Sequence, residues 1–237
     1  MLSKRRVLLV LLIPAVLNIT ISFTIGAYVS YQAYRKGLPP ERIGIEIMKA
    51  LYTYNFYWSI IQVGVGLYVI KLMGGVDRLK EKYPKTDITE KPISSVLLII
   101  LLFLVTQAIL WIFLYVNALM YGGFEKYSEI WREMVSEMPL WSKIYLVAIA
   151  PFTAGIFEEI IWRWFGIEQL EKYYSSRTAN IIQALAFGLW HGLSLHTIAT
   201  FIIGLIYGQV YIRRRRLLVL STAHVLTDII GFSLAFL

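Results

Sequence analysis

Two adjacent carboxylates and an arginine lie in the stretch FEEIIWRWFG, whose other residues are apolar or aromatic. On a helix, Glu159 and Arg163 are four residues apart with the acid nearer the N-terminus, which favours an intrahelical ion pair. Glu158 is five residues from Arg163 and projects in another direction. Glu159 therefore has a cation on its own helix, whereas Glu158 needs partners from other helices.

The candidate partners lie near the C-terminus, where all three histidines are found. His224 and Asp228 are four residues apart and share a helix face. A carboxylate with two histidines is suited to hydrolysis, in which Glu158 would take a proton from water as general base and His191 would hold that water. His224 and Asp228 would face the developing oxyanion. The first three predicted spans offer only neutral polar residues such as Gln62, so we expect the chemistry in the C-terminal part.

Other interpretations of the same side chains stay open. Glu158, His191 and His224 are of the types that bind zinc, so the cofactor is either none or one divalent metal, although no H-E-x-x-H motif is present. A proton- or metal-coupled transporter that uses Glu158, His224 and Asp228 as a relay is one alternative. A non-catalytic membrane scaffold or regulator is another. The remaining His196 is interpreted as a residue of a turn or an interface.

The elements that must position these residues are transmembrane helices. The chain has 237 residues, of which 58% are hydrophobic and 16% are charged. Residues 7–34, 50–70, 92–124 and 178–212 contain no Asp, Glu, Lys or Arg. About 20 apolar residues cross a bilayer as a helix, so each stretch is long enough for a crossing. The predicted fold class is all-α, a polytopic transmembrane helix bundle.

Charge resolves the ambiguous stretch 178–212, which would be about 52 Å long as a single helix. Basic residues lie on both sides of it, Lys172 and Arg177 before and four arginines at 213–216 after. Because basic residues favour the cytoplasmic side, we expect a hairpin with a turn near residues 193–195. Seven spans with a cytoplasmic N-terminus are thus predicted, near residues 7–31, 50–70, 93–117, 140–165, 178–192, 195–212 and 217–237.

The spans are expected to form two parts. Residues 1–139 would contain three spans and an outer amphipathic segment, in which Ile130, Met134 and Met138 recur at helical spacing. Residues 140–237 would form a catalytic core of four spans. The aromatic run YTYNFYW is interpreted as an interfacial anchor. The net charge of +8 is assigned to cytoplasmic loops and contact with membrane lipid, not to nucleic acid.

Three motifs resemble those of a known family. They are EEIIWR at 158–163, FGLWH at 187–191 and HVLTD at 224–228, each on its own predicted span. The CPBP family of intramembrane proteases carries E-E-x-x-x-R, F-x-x-x-H and H-x-x-x-N/D in this order. That family includes the CAAX prenyl endopeptidases and bacteriocin-processing relatives. The resemblance covers roughly residues 140–237.

The resemblance implies a multi-pass intramembrane endopeptidase, glutamate- or metal-dependent, that cleaves a peptide or a prenylated CAAX-type protein near the cytoplasmic face of the cell membrane. Better described members carry Asn in place of Asp228, and an ionised Asp cannot donate a hydrogen bond to an oxyanion. Either Asp228 is protonated or it orients His224. The implied roles are Glu158 as general base assisted by His191, His224 and Asp228 on the oxyanion side, and Glu159, Arg163 and Phe187 as supporting residues.

Overall fold

The computed structural model describes residues 2–84 and 89–236, and within these residues all regular elements are helices. This agrees with the predicted all-α class. The helices are α1 (Lys4–Arg35), α2 (Pro40–Thr53), α3 (Phe56–Leu72), α4 (Val76–Lys80), α5 (Pro92–Met120), α6 (Phe124–Glu137), α7 (Leu140–Leu170), α8 (Ser176–Trp190), α9 (Leu195–Arg214) and α10 (Leu218–Ala235).

Five of these helices, α1, α5, α7, α9 and α10, are long and apolar enough to cross a membrane. Of the other two predicted spans, 50–70 is interrupted, because α2 ends at Thr53 and the 17-residue α3 begins at Phe56, and 178–192 corresponds to the 15-residue α8. These helices are about 25 Å and about 22 Å long, whereas a bilayer core is about 30 Å thick. The count of seven spans and the cytoplasmic N-terminus therefore stay predictions. The last residue of the predicted seventh span, Leu237, lies outside the described residues.

The predicted hairpin is present in the stretch that carries no charge. Helix α8 ends at Trp190, and α9 begins at Leu195 after a four-residue connection. Gly188 allows the two helices to approach, because a Cβ at this position would lie only 2.9 Å from the carbonyl oxygen of Thr197. Small residues of this kind permit close helix packing in membranes.

Helix α7 occupies the centre of the bundle. Its segment Ala154–Ile167 is a π-helix, not the α-helix assumed from the sequence. The segment begins three residues after Pro151, which has no N–H to donate to the helix. Helices α1, α3, α8, α9 and α10 all pack against it. Because π-helical segments are rare and frequent at functional sites, its position is consistent with the predicted role of this stretch.

Two glycines bring neighbouring helices close to the π-helical segment. A Cβ at Gly155 would lie 2.8 Å from the backbone nitrogen of Val225 on α10. A Cβ at Gly66 of α3 would collide with the ring of Phe157. These close contacts hold α3 and α10 against the part of α7 that carries the two carboxylates.

The amphipathic segment forms helix α6. Met134 and Met138 are buried in a cluster with residues of α2 and α7, so its apolar side faces the protein. Lys49 of α2 pairs with Glu137 of α6 at 2.5 Å. Helices α2 and α6 therefore pack together over one end of α7.

The other end of α7 is tied by ion pairs. Glu168 Oε1 accepts hydrogen bonds from Lys82 Nζ at 2.6 Å and from Tyr211 Oη at 2.7 Å. Arg215 donates two bonds to Glu171, at 2.5 and 2.6 Å. The Arg215 guanidinium lowers the pKa of the Glu171 carboxyl below its ordinary value of 4.5. One arginine of the run 213–216 thus belongs to the internal packing of the protein.

Candidate active site

Glu158 is only 1% exposed, and one of its oxygens is held by two neutral donors. Its Oε1 accepts hydrogen bonds from Gln62 Nε2 on α3 and from Trp190 Nε1 on α8, both at 2.7 Å. Its Oε2 accepts no hydrogen bond from the described residues. As predicted, Glu158 takes its partners from other helices.

Three carboxylates surround the ring of His224. Its Nδ1 lies 2.8 Å from Glu159 Oε1, so the N–H at this position donates to the carboxylate and fixes the orientation of the ring. Its Nε2 lies 3.7 Å from both Glu158 Oε2 and Asp228 Oδ2. These separations exceed hydrogen-bond length, so Nε2 makes no direct hydrogen bond to either carboxylate.

The predicted pair between Glu159 and Arg163 is confirmed. Arg163 Nε lies 3.1 Å from Glu159 Oε2, and both side chains are fully buried. The guanidinium carbon is 4.2 Å from the centre of the Phe187 ring and 5.5 Å from that of Tyr207. Aromatic faces and the opposite charge offset part of the cost of burying the arginine. The negative charge of Glu159 is thus balanced on its own helix, while its other oxygen orients His224.

His191 directly follows α8 and lies at the edge of this group. Its Nδ1 is 2.9 Å from the carbonyl oxygen of Phe187, so Nδ1–H donates there and Nε2 carries the lone pair. Its ring packs against those of Phe187, Trp58 and His196, with centroid distances of 4.8, 5.5 and 5.5 Å. Within the described residues, no hydrogen bond or ion pair joins His191 to Glu158. His196, at the start of α9, lies by the hairpin turn, as predicted.

The alternative ligand set of Glu158, His191 and His224 is not arranged as a metal site. In the part of the chain that the structure describes, no group of three or more His, Cys, Asp or Glu side chains could hold a metal ion. His224 turns its Nδ1 to Glu159, and His191 turns its Nδ1 to a helix carbonyl. The donors as arranged therefore do not fit a divalent cation.

The comparisons with known proteins agree with the motifs. A family model described as Type II CAAX prenyl endopeptidase Rce1-like matches residues 139–230, which contain both carboxylates, the three histidines and Asp228. This segment belongs to the CAAX protease family. The match covers residues 139–230 and suggests a CAAX-type intramembrane protease. No curated protein and no solved structure matches the chain.

The CAAX protease segment does not supply every contact of its central carboxylate. Gln62, which donates to Glu158, lies on α3, outside the matched residues. The expectation that the chemistry lies in the C-terminal part stays a prediction, but the early helix α3 supplies a hydrogen-bond donor to Glu158. An amide in an uncharged apolar stretch of a membrane protein needs a partner within the protein, so the sequence indicated that Gln62 is bonded but not that its partner is Glu158.

Two tryptophans that contact the site, Trp58 and Trp190, were also not predicted from the sequence. Trp58 belongs to the aromatic run interpreted as an anchor, yet its ring packs against Trp190 at 4.6 Å and against His191. Trp190 directly precedes His191, and its indole N–H is one of the two donors to Glu158. Composition gave no indication that these rings face inwards, because Trp is also common at membrane interfaces.

Proposed function

We propose that this protein is an intramembrane endopeptidase of the CAAX type in which Glu158 is the general base. The observation that carries the proposal is the state of the Glu158 carboxylate. Gln62 and Trp190 hold Oε1, while Oε2 has no donor among the described residues and faces His224 Nε2 at 3.7 Å. A carboxylate with one fixed and one available oxygen is suited to deprotonating water. The family match supports peptide-bond cleavage as the reaction.

In the proposed mechanism, a water that contacts both Glu158 Oε2 and His224 Nε2 gives a proton to Glu158. The water oxygen attacks the carbonyl carbon of the scissile peptide, and the carbonyl oxygen becomes an oxyanion. The protonated Nε2 of His224 donates a hydrogen bond to this oxyanion, which stabilises the intermediate. Glu158 then transfers the proton to the amide nitrogen as the carbon–nitrogen bond breaks.

His191 and Asp228 have secondary roles in this proposal. The Nε2 lone pair of His191 accepts a hydrogen bond from the attacking water or from a substrate N–H as the substrate enters. The carboxylate of Asp228, 3.7 Å from His224 Nε2, balances the charge of His224 and orients its ring. Of the two roles left open by the sequence, the position of Asp228 beside His224 supports the orienting role.

The proposed substrate is a peptide or a prenylated CAAX-type protein, cleaved towards the cytoplasmic side. His224 lies six residues into α10 from Leu218, about 9 Å along the helix. That end of the bundle carries the arginines at 213–216, which favour the cytoplasmic side of a membrane. The site is therefore nearer to the basic end of α10 than to its other end.

Cleavage of a quenched fluorogenic prenylated CAAX peptide by the purified protein tests the proposal. A glutamine at position 158 keeps the shape of the side chain but cannot take up the proton, so Glu158→Gln should lower turnover by about a thousandfold. The matched control is Glu171→Gln, which removes a carboxylate at the end of the same helix and should keep turnover within about twofold.

The possible outcomes separate the parts of the proposal. Equal turnover by wild type and Glu158→Gln would show that Glu158 is not the base. If wild type cleaves an unprenylated peptide library but not the prenylated peptide, the protease assignment holds and the CAAX substrate is rejected. If wild type cleaves neither, a non-catalytic role replaces the proposal.

A zinc chelator tests the assignment of the chemistry to side chains. Because Glu158, His191 and His224 are not arranged as a ligand set, we expect turnover to be unchanged after chelation and dialysis. A loss of turnover that added zinc restores would contradict this expectation. Glu158→Gln should be inactive under both conditions.

A further inference from the structure

We propose that Asn18 on α1 is a positioning residue that fixes Trp190 and, through it, the Glu158 carboxylate. The inference rests on the proposed function, since it concerns the same carboxylate. Asn18 lies far outside the family-matched residues and is 2% exposed. It belongs to none of the three sequence motifs.

The side-chain amide of Asn18 on α1 makes hydrogen bonds to α8 and to α3. Its Nδ2 donates to the carbonyl oxygen of Trp190 at 2.6 Å. Its Oδ1 accepts from the hydroxyl of Tyr57 at 2.7 Å and from that of Ser22 at 3.1 Å. Because Tyr57 and Ser22 hold the amide from the opposite side, its N–H is aimed at the end of α8.

The carbonyl group that Asn18 binds has no backbone N–H donor within α8. The last four carbonyls of an α-helix lack intrahelical donors, and Trp190 is the last residue of α8. Inside a membrane, water does not satisfy such groups freely, and an unpaired carbonyl is costly. Asn18 therefore caps the C-terminus of α8 and holds the backbone at Trp190 in place.

The same residue, Trp190, transmits this position to the site. Its indole N–H donates to Glu158 Oε1 at 2.7 Å, and its ring packs against those of Trp58 and Trp162, with centroid distances of 4.6 and 5.9 Å. Backbone and indole belong to one residue, so displacement of the carbonyl displaces the donor to Glu158. The chain of contacts runs from α1 through α8 to the reacting carboxylate on α7.

A purely structural role for Asn18 can be distinguished with a matched asparagine. Asn180 also donates its Nδ2 to a backbone carbonyl, that of Leu205 at 3.0 Å, and is 6% exposed. This bond joins α8 to α9 near the start of α8, away from Trp190. Asn18→Leu and Asn180→Leu each remove one buried amide-to-carbonyl bond, so a general loss of packing affects both variants similarly.

The first measurement is independent of catalysis. The full-length protein is labelled with 5-fluorotryptophan, and the fluorine resonance of Trp190 is assigned by its loss in Trp190→Phe. We expect this resonance to shift in Asn18→Leu and to keep its position in Asn180→Leu. An unmoved resonance in Asn18→Leu would overturn the proposal even if the protein proves not to be a protease.

The second measurement is a double-mutant cycle on turnover, corrected for the folded fraction. Asn18→Leu and Trp190→Phe should each lower kcat by about tenfold, and their combination should also lower it by about tenfold, because both act through the same indole N–H. The pair Asn180→Leu and Trp190→Phe should instead show multiplied effects. Multiplied effects for the Asn18 pair, in a wild type that cleaves, would reject the positioning role and leave the proposed function intact.

Discussion

The carboxylates in the middle of α7 have different partners from those at its C-terminal end, which lies near the arginines at 213–216 and is called the basic end. At the basic end, Glu168 and Glu171 each bind a cation, and the bonds join the loop before α5 and the end of α9 to α7. In the middle, Glu159 has a cation as well, but Glu158 is held only by the neutral donors Gln62 and Trp190. All four acids lie on one helix or directly after it.

The difference indicates separate roles for the carboxylates that bind a cation and the carboxylate that binds neutral donors. A cation next to a carboxylate offsets the negative charge, and such a pair is suited to joining two helices. A buried carboxylate with neutral donors and one available oxygen is a poor structural link and a good base. Under the proposed function, adjacent residues in the middle of α7 have different roles: Glu159 holds Arg163 and His224, and Glu158 is the base.

The largest difference between the two regions should be in stability. Arg163→Leu leaves Glu159 buried without its cation, so the free energy of unfolding should fall by about 3–5 kcal/mol. Arg215→Leu removes a partly exposed pair at the basic end and should cost about 1 kcal/mol or less. Denaturant unfolding in detergent measures both, and the double variant Glu159→Leu/Arg163→Leu should recover much of the loss. Equal costs at the two positions would contradict the comparison.

The neutral donors in the middle should matter for turnover. Gln62→Leu keeps the size of the side chain but removes the hydrogen bond to Glu158 Oε1, so kcat should fall by about tenfold. Gln169→Leu is the control, because its buried amide contacts Met73 near the basic end. It should retain kcat within about twofold. Kinetics on the fluorogenic peptide decide the point, and equal losses in both variants would remove Gln62 from the site.

A smaller effect is expected at Asp228. An amide in its place keeps a polar group beside His224 and can itself donate to an oxyanion, so Asp228→Asn should retain kcat within about threefold. Asp228→Leu removes the polar group that orients His224 and should lower kcat by about tenfold. Should the leucine variant match wild type, Asp228 has no part in the reaction.

The smallest effect concerns pH at the basic end. Because Arg215 lowers the pKa of Glu171, the pair stabilises the fold above the unfolded-state pKa, and this contribution disappears as the pH falls through the folded-state pKa. Wild type should exceed Glu171→Gln by up to about 1 kcal/mol near pH 7, with the difference shrinking as the pH falls below the unfolded-state pKa. Thermal unfolding over this range measures it, and a difference that grows on acidification would contradict the sign.

The sequence predicted those features that depend on charge and spacing. The basic residues around 178–212 predicted the hairpin, and the spacing of Glu159 and Arg163 predicted their pair. The separation of Glu158 from that arginine predicted that its partners come from other helices. In each case, the cost of an unpaired charge or of a misplaced basic cluster restricts the possible arrangements, even without coordinates.

Neutral polar residues were not predictable in the same way. Asn18 and Gln62 lie in spans where many partners were possible, and only the packing of α1 and α3 against α8 and α7 selects them. The orientation of His224 depended on the π-helical segment, which shifts the rotation of the carboxylates relative to an α-helix. Periodicity assumes one helix type, so it could not show that His224 bonds to Glu159.

The short helix α8 has a consequence for the depth of the turn that follows it. If α8 starts at the membrane surface, as the basic residues predict, its about 22 Å bring the turn after Trp190 to a depth below the opposite surface. At such a depth, the backbone N–H and C=O groups of a turn need hydrogen-bond partners from the protein or from a hydrated cavity. Beside this turn, Gly192 and Leu193 line an open recess of about 460 Å³ against α1. The turn thus ends α8 inside the protein, and Asn18 and Thr197 provide hydrogen-bond partners for the carbonyl groups of Trp190 and Gly192.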